Sequence, residues 1–148
     1  MCLYLVFEHT HNLLLTNTTD RKCAMCTVLM SIKPEYVSNI LSGNKKYEFR
    51  KNACKRTIEK MLIYSTSPIS KVVGKARIEK VYIDTPTNIW QLTNKYAGIN
   101  KEAYEHYYEG RNSAVAYKLS DVIRYDVPRR LEEYGLKNAP QSYYYIEK

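Results

Sequence analysis

The stretch Ser31-Ile32-Lys33-Pro34-Glu35-Tyr36-Val37-Ser38-Asn39-Ile40-Leu41-Ser42-Gly43-Asn44-Lys45-Lys46-Tyr47-Glu48-Phe49-Arg50-Lys51 decides how the rest of this 148-residue chain is read. Its first half predicts a short helix. Pro34 suits a first turn, where a missing N–H costs nothing, and Tyr36, Val37, Ile40 and Leu41 fall on one apolar face. Gly43 supplies the stop and turns the chain sharply into the next segment. From Lys45 to Lys51 the period changes to two, which predicts a strand with Lys45, Tyr47, Phe49 and Lys51 on one side and Lys46, Glu48 and Arg50 on the other. Glu48 and Arg50 then share a face closely enough to pair, either as architecture or to hold the guanidinium toward a cleft.

Working outward, Thr27–Ile32 is a nearly continuous apolar run and predicts a buried strand, with Cys26 at its start. Beyond the motif, 60–65 predicts another apolar strand, ended by Thr66-Ser67-Pro68. A long strand spans 71–83 with Gly74 as a candidate bulge. Thr85-Pro86 opens a helix closed by Gly98, and Asn100 caps a second that ends before Gly110. Strands come next over 115–119 and 123–127, separated by Ser120-Asp121, with Pro128 ending the second. A turn or short helix at 131–134 leads to a closing strand at 143–146. About six strands, helices at three points and no regular βαβ alternation give an α+β fold, a mixed β-barrel with flanking helices.

The chain is long enough for one domain with a sizeable core. Residues 1–24 show no sustained period and read as an N-terminal extension, partly ordered or loosely docked, with the domain over 25–148. No stretch reaches the ~20 apolar residues that cross a bilayer, and Met1–Phe7 lacks a signal-peptide pattern, so a cytoplasmic protein with no membrane association is expected. Cys2, Cys23, Cys26 and Cys54 are then expected as thiols. The Cys23-x-x-Cys26 spacing, with His9 and His11, invites a zinc reading. No second such pair exists, however, and the two histidines would face opposite sides of a strand, so no metal and no cofactor is expected.

The formal net charge of +8 is unevenly placed: residues 1–42 carry three basic and three acidic side chains, and residues 81–148 nine of each. The whole excess sits in 43–80, where eleven basic residues face only Glu48, Glu59 and Glu79. Such a one-sign block predicts a surface that meets a polyanion.

The residues from Ser31 to Tyr36, then Ile40 to Lys51 with Gly43, Lys45, Glu48 and Arg50 in G-x-K-x-x-E-x-R spacing, resemble the opening of the ASCH domain, a PUA-like family. Further similarity lies in Leu62–Pro68, Val73-Gly74 and the closing Pro140-Gln141-Ser142-Tyr143, so the resemblance spans about residues 26–147. It implies a PUA-like β-barrel with a cleft beside the motif and a family proposed to bind RNA or nucleotides. Some similar proteins are ribonucleases, and a small subgroup removes an acyl group from a modified cytidine.

On this reading the ligand is RNA or a nucleotide, and Lys45, Glu48, Arg50, Ser65, Thr66, Gln141 and Ser142 are the candidate binding residues. Lys45 can hold phosphate, or act as a base if burial lowers its pKa. Glu48 can accept from a base edge, and Arg50 can meet phosphate or stack. Ser65 and Thr66 end a strand with hydroxyls and N–H groups, and the resemblance brings Gln141 and Ser142 to the same cleft. The rival reading is a hydrolase of RNA or of modified nucleosides, a ribonuclease or an amidohydrolase, with Lys45 and Glu48 as candidate catalytic residues. The deacylating relatives resemble this chain at Lys45 but carry a threonine where it has Glu48, which argues against the same hydrolysis. His106, the only histidine in the domain, reads as a surface residue, and Tyr47 as core.

Overall fold

The computed structural model describes residues 25–147, so the expected extension and the Cys23, His9 and His11 readings lie outside the described residues. Eleven elements run along the chain. They are β1 (Cys26–Ile32), α1 (Pro34–Leu41), β2 (Tyr47–Arg50), β3 (Ile58–Ser65), β4 (Lys71–Asp84), α2 (Pro86–Thr93), a 3₁₀ turn (Asn94–Tyr96), α3 (Lys101–Tyr107), β5 (Ala114–Arg129), a second 3₁₀ turn (Leu131–Tyr134) and β6 (Tyr143–Ile146).

The six strands form one mixed sheet in the order β2-β5-β4-β3-β1-β6, with β1 and β3 parallel and every other neighbour antiparallel. This is the α+β architecture expected. The backbone ladder itself stays open, with β2 and β6 at its two ends. The ends are brought together by a side chain: the Arg50 guanidinium, on β2, donates to the Ser142 and Ser31 carbonyls beside β6 and on β1.

The main core lies on one face of the sheet, where Val28, Met30 and Ile32 of β1 meet Met61 and Ile63 of β3, Ile78 of β4, and Val115, Tyr117 and Leu119 of β5. Val37 and Ile40 of α1 close it. The helix ends as its sequence dictates, with Gly43 at φ +84, a conformation that costs glycine little. A second cluster packs α2 and α3 against β2 and β5. There Phe49 lies opposite Ala116, and the small Ala114 and Ala116 leave room for Tyr104 and Tyr108. Tyr104 stacks edge-on to Phe49 at 5.1 Å, and its hydroxyl donates to the Pro86 carbonyl at 2.8 Å. A third cluster, with Leu29, Leu62, Tyr64 and Val72, is covered on the other face by Leu131 and its turn.

Two expectations about β5 change. Ser120-Asp121 does not separate two strands: Asp121, at φ +48, is a bulge in one continuous strand. Pro128 does not end it either, because Val72 pairs with Arg129 while Gly74 pairs with Arg124. Residues 125–128 therefore bow out of the ladder, where a missing N–H breaks no bond. On β4 the bulge falls at Val73, since Ile63 pairs with Gly74 and Tyr64 with Val72. Gly74 is there for close approach: a Cβ on it would lie 2.4 Å from the Ile123 carbonyl oxygen.

Candidate functional site

The charged motif lies at the seam where the sheet ends meet. In the β2–β5 ladder Glu48 sits opposite Tyr117 and Arg50 opposite Val115, so both charges are carried on the main-core face. They pair there at 3.0 Å, each nearly out of water. Beyond Glu48, the guanidinium donates to the Ser142 carbonyl and hydroxyl, both at 3.2 Å, and to the Ser31 carbonyl at 3.0 Å. Its Nε is buried without a hydrogen-bond partner. Tyr108 reinforces the strand from behind, its hydroxyl within 2.9 Å of the Arg50 carbonyl and 3.2 Å of the Val115 carbonyl.

Lys45 is expected on the strand but stands just ahead of it. Its N–H donates to the Asn39 carbonyl at the end of α1, and its side chain turns inward until the residue is 3% exposed. The ammonium donates to the Ala97 carbonyl at 2.8 Å and lies 4.4 Å from the centre of the Phe49 ring. Burial lowers its pKa from the ordinary 10.5 to about 8, with Arg50 acting in the same direction and Glu48 opposing both. A lysine so placed needs the backbone around it to give way. Gly98, at φ +61, does so: a Cβ there would lie 2.3 Å from that of Lys45. Asn39 clamps the same turn by donating to the Gly98 carbonyl at 3.0 Å.

The cluster therefore holds two basic side chains and one carboxylate together, nearly out of water. Tyr36 and Tyr107 stand beside it. Burial raises the pKa of both hydroxyls, and Glu48 acts on each in the same direction. The phenols accordingly stay protonated near neutrality and can donate to an anion.

Comparison with known proteins decides the family. The ASCH domain model matches residues 30–128. The chain belongs to the ASCH domain family. It is 31% identical over 108 residues to an ASCH domain-containing ribonuclease of Zymomonas mobilis subsp. mobilis, covering 72% of this chain and 70% of that one. A crystal structure of ASCH from Zymomonas mobilis superposes with a TM-score of 0.76 at 27% identity, over 82% of this chain and 88% of that chain. The chain is also 30% identical to a protein named large ribosomal subunit protein uL22 of Ureaplasma parvum serovar 3, spanning 82% of its own length but only 39% of that relative.

Within this ASCH domain the candidate residues separate into two places. Lys45, Glu48, Arg50 and Ser142 come together, with Gln141 exposed beside Ser142. Ser65 instead lines a cavity of about 510 Å³ between α1 and the bowed part of β5, with Val37, Ser38 and Arg124. The Thr66 N–H donates to the Ile32 carbonyl. No hydrogen bond or ion pair joins Ser65 or Thr66 to the charged cluster. Among the described residues no group of His, Cys, Asp and Glu stands ready to hold a metal. Asn39, Ala97, Gly98, Tyr36 and Tyr107 were missed as site residues. Only Gly98 left a trace in the sequence, as a glycine directly after a predicted helix.

The buried lysine fixes a pH dependence. Between about pH 8 and 10.5 the unfolded chain binds more of this proton than the folded one, so wild-type stability rises with pH through that window. Relative to Lys45→Met, which lacks the group, the wild type should gain stability from pH 8 to pH 10 in urea unfolding. A flat or falling difference would contradict the burial described.

Proposed function

We propose that this chain is an RNA- or nucleotide-binding ASCH domain, with the ligand seated in the cleft around Lys45, Glu48, Arg50, Gln141 and Ser142. The observation that carries the reading is the charge count of the cluster: a desolvated group of two cations and one carboxylate is completed by an anion such as a phosphate. Arg50 and Lys45 supply the cationic side, Ser142 a hydroxyl, and Glu48 an acceptor for a base edge. The name of one relative, an ASCH domain-containing ribonuclease, agrees with an RNA ligand. Lys46, Lys51, Lys55, Arg56 and Lys60, all exposed, extend the positive surface beyond the pocket. Such a ligand supports the expected cytoplasmic location. No helix among the described residues is long and apolar enough to cross a membrane.

Binding of a short labelled RNA should weaken steeply between 50 and 200 mM salt, each neutralised phosphate adding about −0.7 to the log–log slope for a single strand. Lys45→Met should lower affinity by roughly tenfold. Salt-insensitive binding, binding unchanged in the variant, or capture dominated by acidic proteins after RNase treatment would each remove the reading.

Hydrolysis of RNA in the same cleft is favoured by one further observation, the lowered pKa of Lys45. With a value of about 8 a fraction of the amine is neutral near physiological pH and can serve as a base. In that reaction the Lys45 amine takes the proton of a ribose 2′-hydroxyl as its oxygen attacks the adjacent phosphorus. The bond to the 5′-oxygen breaks, a protonated tyrosine hydroxyl or water returns a proton to the leaving oxygen, and a cyclic phosphate remains. Arg50 balances the charge on the phosphoryl oxygens. Incubated RNA should then yield cyclic-phosphate ends at a rate that rises with pH toward about 8, and Lys45→Met should be at least a hundredfold slower. No products, or equal rates in both proteins, would leave a binding module alone.

A further inference from the structure

Two tyrosines of the helical segment between β4 and β5 differ from their neighbours. Tyr104 and Tyr108 bury their rings in the second core cluster, whereas Tyr96 is 37% exposed and Tyr107 is 36% exposed. Each carries a cation over its ring: Lys46 at 4.1 Å and Lys95 at 5.4 Å from the centre of Tyr96, and Lys51 at 5.1 Å from that of Tyr107. Arg111 adds a second cation at the Tyr107 end, donating to the Lys51 carbonyl at 3.0 Å and the Asn52 side chain at 2.8 Å.

Both rings are tied to the cleft. The Tyr96 carbonyl accepts from the Lys46 N–H at 2.9 Å, and the next residue's carbonyl holds the Lys45 ammonium. The Tyr107 hydroxyl feels the charges of Arg50 and Glu48. Lys46 comes directly before β2 and Lys51 directly after it, so the two tyrosine–lysine pairs stand at opposite ends of the strand that carries the motif. Five residues of extended chain separate these lysines by about 16 Å. An exposed ring capped by a flexible lysine offers a face to a base once the ammonium swings to the phosphate next to it.

We propose that Tyr96 and Tyr107, with their lysines, are base-stacking subsites on either side of the cleft, and that its ligand is a single-stranded RNA segment rather than a free nucleotide or a duplex. The inference rests on the RNA reading above and deepens it. A duplex keeps its bases stacked on one another, and a mononucleotide can reach one position only. A single strand can seat one nucleotide in the cleft and lay its neighbours on the two rings, within the span of roughly four nucleotides that the smallest single-strand sites hold.

The test measures affinity of wild type, Tyr96→Ala, Tyr107→Ala, Tyr96→Phe and Tyr107→Phe for a single-stranded RNA hexamer, a hairpin duplex of the same composition and adenosine monophosphate. The wild type should prefer the hexamer to both other probes. Each alanine variant should lose roughly tenfold or more for the hexamer, Tyr96→Ala should lose less than twofold for the mononucleotide, and Tyr96→Phe should restore hexamer binding, because stacking needs the ring and not the hydroxyl. Equal hexamer affinity in the alanine variants, beside a loss in Lys45→Met, overturns the stacking subsites and leaves the cleft reading intact. Preference for the duplex also overturns them. A wild type that binds none of the probes overturns both.

Discussion

The Arg50 guanidinium joins strands that stand at opposite ends of the sheet order. It reaches from β2 to the carbonyl of Ser31 on β1 and to Ser142 at the entrance of β6, and Glu48 neutralises it at 3.0 Å. The backbone ladder does not close. Its curl is held by this side chain, supported by Tyr117 and Tyr145, whose hydroxyls take the Cys54 and Arg56 N–H groups of the connector between β2 and β3. A fork of five donors in one plane suits this bridging role better than an ammonium would. The same constraint explains why charge is tolerated so close to the core: the pair is desolvated, and removing either partner would leave the other buried and unbalanced.

Closure and site are consequently one feature. By holding Ser142 against β2, Arg50 brings the loop before β6 to the motif, and the helical segment between β4 and β5 packs on Lys45 through Ala97 and Gly98. Lys45 marks where the two meet. Its ammonium satisfies a carbonyl at the end of a 3₁₀ turn while facing Phe49, and its burial, with Arg50 nearby, lowers its pKa.

Much of this was legible along the chain, and the reasons are local. The Pro34-to-Gly43 helix, the alternation from Tyr47 to Arg50 and the Glu48–Arg50 face come from spacing alone, since capping and strand periodicity act over a few residues. What escaped is nonlocal. Strand spacing does not say that a glycine beyond a distant helix must clear space for Lys45. It does not say either that Ser65 ends its strand beside a cavity that Lys45, Glu48 and Arg50 do not line. Asp121 and Pro128 looked like breaks because each is a poor ladder residue. The strand runs through them because Asp121 is itself a bulge on β5 and residues 125–128 bow out between the Gly74–Arg124 and Val72–Arg129 pairs.

The central claim is that one guanidinium both joins the two ends of the open sheet and holds the charged cluster together. Native-state hydrogen exchange on Arg50→Lys, which keeps the charge and removes the fork, tests it most directly. Protection should fall selectively at the Ser31 amide and along the β1–β6 ladder, from Met30 to Thr27 and from Tyr143 to Ile146, while the β3–β4 ladder keeps its protection. Unchanged protection at the β1–β6 edge, or an equal loss across every strand, would contradict it.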